Sequence, residues 1–206
     1  SQSPSVMKDV DRYHTLSKPS LEFVCKEKGS KFVGYAFPVT SETAIKDSIA
    51  AVKKIHPKAR HICFAWKLGV ERVVFRTNDD GEPNNSAGHS IYGQILSANL
   101  TNVLVLVVRY FGGVKLGVGG LIRAYKKTAQ GTLQNSTISE RFLEETLEVV
   151  FDYPNWGKVL QIVKQKKMVV LEKKTQLKCH LILSVKKSEF DALKSFLEKQ
   201  PFLSCK

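Results

Sequence analysis

The chain has 206 residues, of which 43% are hydrophobic and 25% charged, a balance that is typical of soluble globular proteins and excludes an intrinsically disordered chain. Lysine and arginine outnumber aspartate and glutamate by 32 to 19, and the resulting net charge of +13 favours polyanionic partners, either nucleic acid or an anionic membrane surface. The longest apolar run, Val103–Val108, has six residues and excludes a membrane-spanning helix, which needs roughly 20.

The first part of the chain alternates strand and helix patterns. Leu21–Val39 predicts two strands around a Lys-Gly-Ser-Lys turn. A helix follows, with Thr40 or Ser41 as its cap and Pro57 as its end. The next predicted elements are a strand pair at His61–Leu68 and Val70–Arg76, a loop at Thr77–Ser86, a helix at Ala87–Leu100, a buried strand at Val103–Val108, a glycine-dense loop at Gly112–Gly120 and a helix from Leu121 to about Leu133.

The strand and helix pattern restarts after a charged linker at Glu140–Glu145. The predicted strands are Thr146–Tyr153, Met168–Leu171 and Leu177–Val185, with a turn at Lys173-Lys174 and helices beginning near Pro154 and Ser188. The order β-α-β-β-α with a short tail fits a small ferredoxin-like domain. We therefore predict an α+β protein of two separately folding domains, residues 1–138 and residues 146–206.

A glycine-rich segment carries the strongest functional signal. In Val103–Leu133 a buried strand precedes a glycine-rich loop and a helix, an arrangement in which backbone N–H groups and the helix dipole bind phosphate. The P-loop and dinucleotide motifs are both incomplete here. Tyr110 and Phe111 could stack on bases, although a place in the core is the favoured interpretation. The predicted nucleic-acid-binding residues are Arg109, Gly112, Gly113, Lys115, Gly117, Gly119, Gly120, Arg123, Lys126 and Lys127. The alternative is that the glycines only permit close packing.

A second segment, Asn78–His89, is rich in acidic and turn-forming residues. Asp79, Asp80 and Glu82 could bind a hard cation, and His89 could act as a general base. The dipeptides Asp-Gly and Glu-Pro are turn signals, however, and Asn84, Asn85 or Ser86 would cap the next helix. The spacing also fails the EF-hand pattern. We therefore expect no metal site in this loop.

Redox chemistry and targeting signals are not evident in the sequence. The four cysteines are far apart and form no C-x-x-C or zinc-ligand spacing. The N-terminal segment, SQSPSVMKDVDRYHTLSKPS, is polar and lacks the apolar core of a secretory signal. We expect a cytoplasmic protein with neither a cofactor nor a membrane as partner.

Both functional segments resemble the IMPACT/YigZ family. Arg109–Tyr125, RYFGGVKLGVGGLIRAY, is similar to the motif RYFGG-x-x-LG-x-GGL-x-RAY, and Asp79–Gly88, DDGEPNNSAG, is similar to the motif DDGEP…AG. The matching residues of the second motif are Asp79, Asp80, Gly81, Glu82, Pro83, Ala87 and Gly88. The resemblance runs from about Lys18 to Phe202. This sequence departs from the family pattern at Asn84-Asn85-Ser86 and at Ser90.

The resemblance implies a fold for each domain. The first domain would resemble the second domain of a small-subunit ribosomal protein, a fold shared with RNase PH and elongation factor G. The second would resemble the ferredoxin-like C-terminal domain of elongation factor G. Eukaryotic relatives are linked to translational control through protein partners, whereas no biochemical activity carries over from bacterial members.

The leading hypothesis is a non-enzymatic cytoplasmic protein that binds RNA or the ribosome and modulates translation. Lys166, Lys167, Lys173 and Lys174 would extend the basic surface into the second domain. Two alternatives stay open: a protein-interaction adaptor for a translation factor, and a metal-dependent hydrolase that uses Asp79, Asp80, Glu82 and His89. The excess of lysine could also serve solubility alone. Steep salt dependence of binding would favour RNA.

Overall fold

The computed structural model describes residues 11–206. The first half of the polar N-terminal segment, for which we expect no secretory signal, lies outside the described residues. The chain divides into two compact units, Tyr13–Arg141 and a smaller one that contains Phe142–Lys206. Both units mix helices with antiparallel sheets, which confirms the predicted α+β class. Independent folding of residues 1–138 and 146–206 stays a prediction.

The larger unit is built on a five-stranded sheet in the order β2-β3-β6-β4-β5, in which all neighbours are antiparallel. A further pair, β1 and β7, forms a two-stranded sheet. The elements are β1 (Arg12–Leu16), β2 (Phe23–Glu27), β3 (Ser30–Pro38), α1 (Glu42–Ile55), β4 (His61–Leu68), β5 (Val74–Asn78), α2 (Gly88–Ser97), β6 (Val103–Tyr110), α3 (Gly117–Gln134) and β7 (Ile138–Phe142).

Each face of the five-stranded sheet has its own core. Side chains such as Phe32 and Val107 pack with α2 and α3 on one face, whereas Val33 and Leu106 pack with α1 on the other. The central strand β6 is buried throughout Val103–Val108, as its unbroken apolar sequence predicts. Helix α1 begins where predicted, because the Ser41 hydroxyl accepts the backbone N–H of Ala44 at 3.1 Å.

The smaller unit has a four-stranded antiparallel sheet in the order β11-β8-β10-β9. Its elements are β8 (Glu144–Phe151), a 3-10 turn (Tyr153–Asn155), α4 (Trp156–Gln165), β9 (Val169–Thr175), β10 (Cys179–Lys186), a second 3-10 turn (Lys187–Glu189), α5 (Phe190–Glu198) and β11 (Ser204–Cys205). The order β-α-β-β-α-β is that of ferredoxin-like domains. Apolar residues of α4 and α5, such as Val159 and Leu197, join the inner faces of β8 and β10 in one core.

Several element boundaries differ from those predicted. Helix α3 begins at Gly117 rather than Leu121, so three of the predicted loop glycines lie in its first turn. The charged segment at 140–145 is mostly strand, and β1 was not predicted at all. Lys173 and Lys174 lie within β9 rather than in a turn. Strand β9 is an edge strand in which every residue is exposed. Its sequence therefore lacks the alternation of apolar and polar residues that predicts a half-buried strand.

All four cysteines are free thiols, and Cys25, Cys63 and Cys179 are buried. Among the described residues, no helix combines the length and the apolar character needed to cross a bilayer.

Candidate functional site

A buried carboxylate, Glu82, joins three segments of the larger unit. Its side chain is 3% exposed, and its Oε1 accepts hydrogen bonds from Arg109 Nη1 at 2.7 Å and from the Tyr125 hydroxyl at 2.8 Å. Burial raises the pKa of Tyr125 well above its usual range, so the hydroxyl keeps its proton and donates a hydrogen bond to the carboxylate. The two segments that the sequence singled out are therefore held together by one acidic side chain.

The other acidic residues of the DDGEP loop hold the backbone. Asp79 Oδ1 accepts the N–H groups of Ala87 and Gly88 at 3.1 and 2.8 Å and thereby caps helix α2 from outside the helix. Asp80 Oδ2 accepts the N–H of Ile62 at 2.8 Å. The predicted capping by Asn84, Asn85 or Ser86 is wrong, because the N-cap residue is Ala87 and the capping oxygen belongs to Asp79.

This use of the carboxylates gives the metal-dependent hydrolase no support. Asp79, Asp80 and Glu82 each accept hydrogen bonds from different partners, and the side chain of His89 is exposed. Among residues 11–206, no group of three or more histidine, cysteine, aspartate or glutamate side chains is arranged to hold a metal ion.

A basic pocket lies where β6 ends and β4 begins. It has a volume of about 380 Å³, and its lining residues are Lys58, Arg60, His61, Arg109, Tyr110 and Phe111. His61 and Arg109 lie directly opposite each other in the β4–β6 register. The exposed side chains of Lys58 and Arg60 come from the connection between α1 and β4. No binding role was predicted from the sequence for Lys58, Arg60 or His61, although His61 fits an H…A element of the IMPACT/YigZ pattern.

The guanidinium of Arg109 forms a fixed wall of this pocket. The residue is only 7% exposed, and its Cζ lies 5.8 Å from the ring centroids of both Phe32 and Phe111. Its Nε is buried without a hydrogen-bond partner among the described residues. Arg109 is therefore not part of an exposed basic surface, although it lines the pocket.

His61 is oriented by the DDGEP loop. Its Nδ1 lies 2.8 Å from the carbonyl oxygen of Asp80, which can only accept, so Nδ1 carries the proton. Its Nε2 lies 3.9 Å from Glu82 Oε1. The ring is thus held between the acidic loop and the pocket.

A second hydrogen-bonded chain reaches the pocket from the α1 side of the sheet. The Tyr35 hydroxyl donates a hydrogen bond to Glu22 at 2.5 Å, so its oxygen accepts a hydrogen bond from His56 Nε2 at 2.6 Å. His56 Nδ1 then accepts from the Tyr110 hydroxyl at 2.5 Å. Burial lowers the pKa of His56, which keeps the ring neutral and able to accept at Nδ1.

The predicted loop glycines have different environments. A Cβ on Gly112 would lie 1.9 Å from the carbonyl carbon of Gly29, so this glycine permits close packing against the β2–β3 turn. Gly113 and Gly117 have φ values of +88° and +69° with nothing within 4 Å of an added Cβ. Gly119 belongs to the first turn of α3, where an added Cβ would meet only the Arg123 side chain at 3.4 Å.

The start of α3 exposes both cations and apolar side chains. The exposed cations are Lys115, Arg123, Lys126 and Lys127, which fits their predicted position at a surface. The exposed apolar residues are Phe111, Val114, Val118 and Ile122, with exposed fractions of 60%, 52%, 52% and 38%. These eight residues are called the α3 surface below. The core interpretation favoured for Phe111 is therefore wrong.

Three of the lysines named in the smaller unit have neighbours of their own. Lys166 Nζ lies 4.3 Å from the ring centroid of Phe196, and Lys173 Nζ lies 4.4 Å from that of Trp156. Lys174 pairs with Glu172 at 3.7 Å.

The fold and these two segments define a class, that of α+β proteins with an IMPACT-type N-terminal domain. Residues 28–133 match the family model of the Impact N-terminal domain. IMPACT family member YvyE of Bacillus subtilis is 32% identical over 78% of this chain and 73% of its own length. An IMPACT family member of Haemophilus influenzae is 30% identical over 91% of this chain and 92% of its own length. The chain belongs to the IMPACT family, which confirms the resemblance seen in the sequence.

A solved structure titled as that of a hypothetical protein has the same overall fold. It matches this chain with a TM-score of 0.71 at 23% identity, and the match covers 95% of this chain and 96% of that one.

Proposed function

We propose that this protein binds RNA, free or in the ribosome, through its larger unit and thereby modulates translation in the cytoplasm. The observation that carries the proposal is the continuous run of basic and aromatic features from the pocket into the α3 surface. Arg109, Tyr110 and Phe111 line the pocket, and the chain then leads directly into exposed cations that begin at Lys115. Cations next to an exposed aromatic ring are typical of nucleic-acid-binding grooves.

The finer fold resemblances belong to the same proposal. The β-α-β-β-α-β order of the smaller unit supports a likeness to the C-terminal domain of elongation factor G. We also infer a likeness of the larger unit to the second domain of a small-subunit ribosomal protein. Fold analogy is a weak warrant for function, so the proposal depends on the basic site rather than on these likenesses.

The α3 surface would contact phosphates without reading sequence. Lys115, Arg123, Lys126 and Lys127 are exposed, and lysine or arginine contacts to phosphate position a protein on RNA without specifying bases. Each neutralised phosphate contributes roughly 0.7–0.9 to the slope of log affinity against log salt concentration. Loss of two contacts should therefore flatten that slope by roughly 1.4–1.8.

The test is the double variant Arg123→Glu/Lys127→Glu, with Lys46→Glu/Lys53→Glu on α1 as the control. All four side chains are exposed, and both variants change the net charge by the same amount. Affinity for a structured RNA is measured by fluorescence anisotropy at several salt concentrations. We expect weaker binding and a flatter slope only in the α3 variant. Equal affinity and slope in that variant and in the wild type would overturn the phosphate contacts.

The adaptor hypothesis has an observation of its own. Val114, Val118 and Ile122 recur at intervals of four residues and are exposed together with Phe111, and contiguous exposed apolar side chains are typical of protein-binding surfaces. Val118→Asn would disrupt binding to a translation factor without adding a charge next to the cations that contact phosphate. Capture of a translation factor from nuclease-treated lysate, lost in Val118→Asn, would favour the adaptor over RNA binding.

A further inference from the structure

The basic pocket differs in kind from the α3 surface. It is concave, and its volume of about 380 Å³ falls in the range of small-molecule sites, about 300–1,000 Å³. One wall, Arg109, is buried and held in place by its ion pair with Glu82. A fixed guanidinium in a concave site is suited to a single compact anion, whereas exposed lysines are suited to an extended backbone.

The charge in the pocket matches a dianion. Lys58, Arg60 and Arg109 supply three positive charges, and Glu82 neutralises one of them. Neither Lys58 nor Arg60 forms an ion pair with a side chain of the described residues. Two positive charges therefore remain for a ligand. A phosphomonoester carries about −1.5 to −2 at pH 7, whereas each internal phosphodiester of RNA carries a single negative charge.

Arg109 also carries a buried donor without a partner. The Nε of Arg109 makes no hydrogen bond within residues 11–206, although the residue is more than nine-tenths buried. Such a group is uncommon in folded proteins. The same side chain lines the pocket, so a bound anion would give this guanidinium a second acceptor besides Glu82.

The rim of the pocket supplies an aromatic ring. Phe111 is 60% exposed, and its ring centroid lies 5.8 Å from Cζ of Arg109. An exposed ring beside the guanidinium that would bind the phosphate can stack on the base of the same nucleotide. The pocket and the Phe111 ring would then bind the phosphate and the base of the same nucleotide.

We propose that the basic pocket binds the terminal phosphate of an RNA chain, a phosphomonoester, with the terminal base on Phe111. This assignment rests on the RNA binding proposed above and adds the part of the RNA that the protein recognises. Lys58, Arg60 and Arg109 hold the phosphate oxygens.

The test compares three RNA oligonucleotides of one sequence, bearing a 5′-phosphate, a 3′-phosphate or hydroxyl groups at both ends. Binding to the full chain is measured by fluorescence anisotropy at one salt concentration. We expect one phosphorylated form to bind about tenfold more tightly than the hydroxyl form, which corresponds to about 1.4 kcal/mol. The form that binds more tightly identifies the end.

Matched variants assign that preference to the pocket. Lys58→Gln/Arg60→Gln changes two exposed side chains, should fold normally, and should reduce the preference to less than twofold. The control Lys46→Gln/Lys53→Gln removes the same charge from α1 and should keep the preference for the phosphorylated RNA. Arg123→Glu/Lys127→Glu should weaken binding of all three RNAs and leave their ratio unchanged. A preference that survives in Lys58→Gln/Arg60→Gln would overturn the assignment.

The remaining outcomes separate this inference from the proposed function. Equal binding of all three RNAs overturns the terminal-phosphate site and leaves RNA binding standing. If no RNA binds but a nucleoside monophosphate does, and the pocket variant abolishes that binding, RNA recognition is overturned and the pocket is a mononucleotide site. Failure of both ligands to bind overturns both proposals.

Discussion

Replacing Glu82 by glutamine removes one charge of a buried ion pair while keeping the shape of the side chain and an oxygen for Tyr125. The two charged side chains are only 3% and 7% exposed, so solvent screens their interaction little. Breaking a buried pair by removing one partner costs about 3–5 kcal/mol, because the other charge stays buried. That is a large share of the 5–15 kcal/mol that stabilises a typical domain.

The effect is measured by urea unfolding. Trp66 lies in β4 of the same unit and is 6% exposed, whereas Trp156 lies in the smaller unit. In a Trp156→Phe background, the remaining fluorescence therefore reports the unit that holds Glu82. With a slope of about 2 kcal/mol/M, the midpoint should fall by about 1.5–2.5 M. The control Glu42→Gln, at an exposed position in the first turn of α1, should cost under about 1 kcal/mol.

A double-mutant cycle separates the ion pair from general disruption. Arg109→Met alone leaves Glu82 buried without its cation and should be about as costly as Glu82→Gln. The double variant has no buried charge, so it should recover to within about 2 kcal/mol of the wild type. A loss below about 1 kcal/mol in Glu82→Gln, or a double variant that loses the sum of both single losses, would refute the reasoning.

Two further predictions concern the pocket and the glycine segment. Burial lowers the pKa of His56 below its ordinary value of 6.5, so the unfolded chain binds more protons than the folded one as the pH falls. The contribution of His56 to stability is therefore present above pH 6.5 and is lost as the pH falls towards the lower pKa of the folded state. His56→Gln should flatten the fall in urea midpoint between pH 7 and pH 5, and an unchanged pH profile would contradict this. Gly112→Ala should lower the free energy of unfolding by at least about 2 kcal/mol, because its Cβ would overlap the backbone of Gly29. Gly119→Ala, in the first turn of the helix, should leave the free energy of unfolding unchanged or raise it by up to about 1 kcal/mol. Similar thermal midpoints for the two variants would show that Gly112 is not needed for close packing.

Much of the fold was predictable because it depends on local patterns. The unbroken apolar run Val103–Val108 predicted the buried strand, and Ser41 predicted the start of α1. The start of α3 was missed because glycine has a low helix propensity, and the packing of Leu121 and Ala124 against the sheet overrides that propensity here. Charged residues at 140–145 resemble a linker, since a strand exposed on one side gives little apolar signal.

The candidate site was only half predictable. The exposed cations of α3 follow from helical spacing, but the pocket does not follow from any local pattern. Lys58 and Arg60 lie about fifty residues from Arg109 in the sequence, and only the β4–β6 register brings their segments together. The burial of Arg109 depends on Glu82, 27 residues earlier, and nothing in the spacing of the two residues indicates that they pair.

The shared carboxylate also couples the evolution of three positions, Glu82, Arg109 and Tyr125. Arg109 and Tyr125 lie 27 and 43 residues from Glu82 in the sequence, yet each depends on it for a partner. A replacement of Glu82 or Arg109 leaves the other charge buried without its partner, and a replacement of Glu82 also removes the acceptor of the Tyr125 hydroxyl, so the first step of such a change lowers stability. Lineages can alter the set only through such an intermediate or through simultaneous changes. The three segments should therefore diverge slowly and together, whereas an exposed residue of the same helix, such as Lys126, can change alone without this penalty.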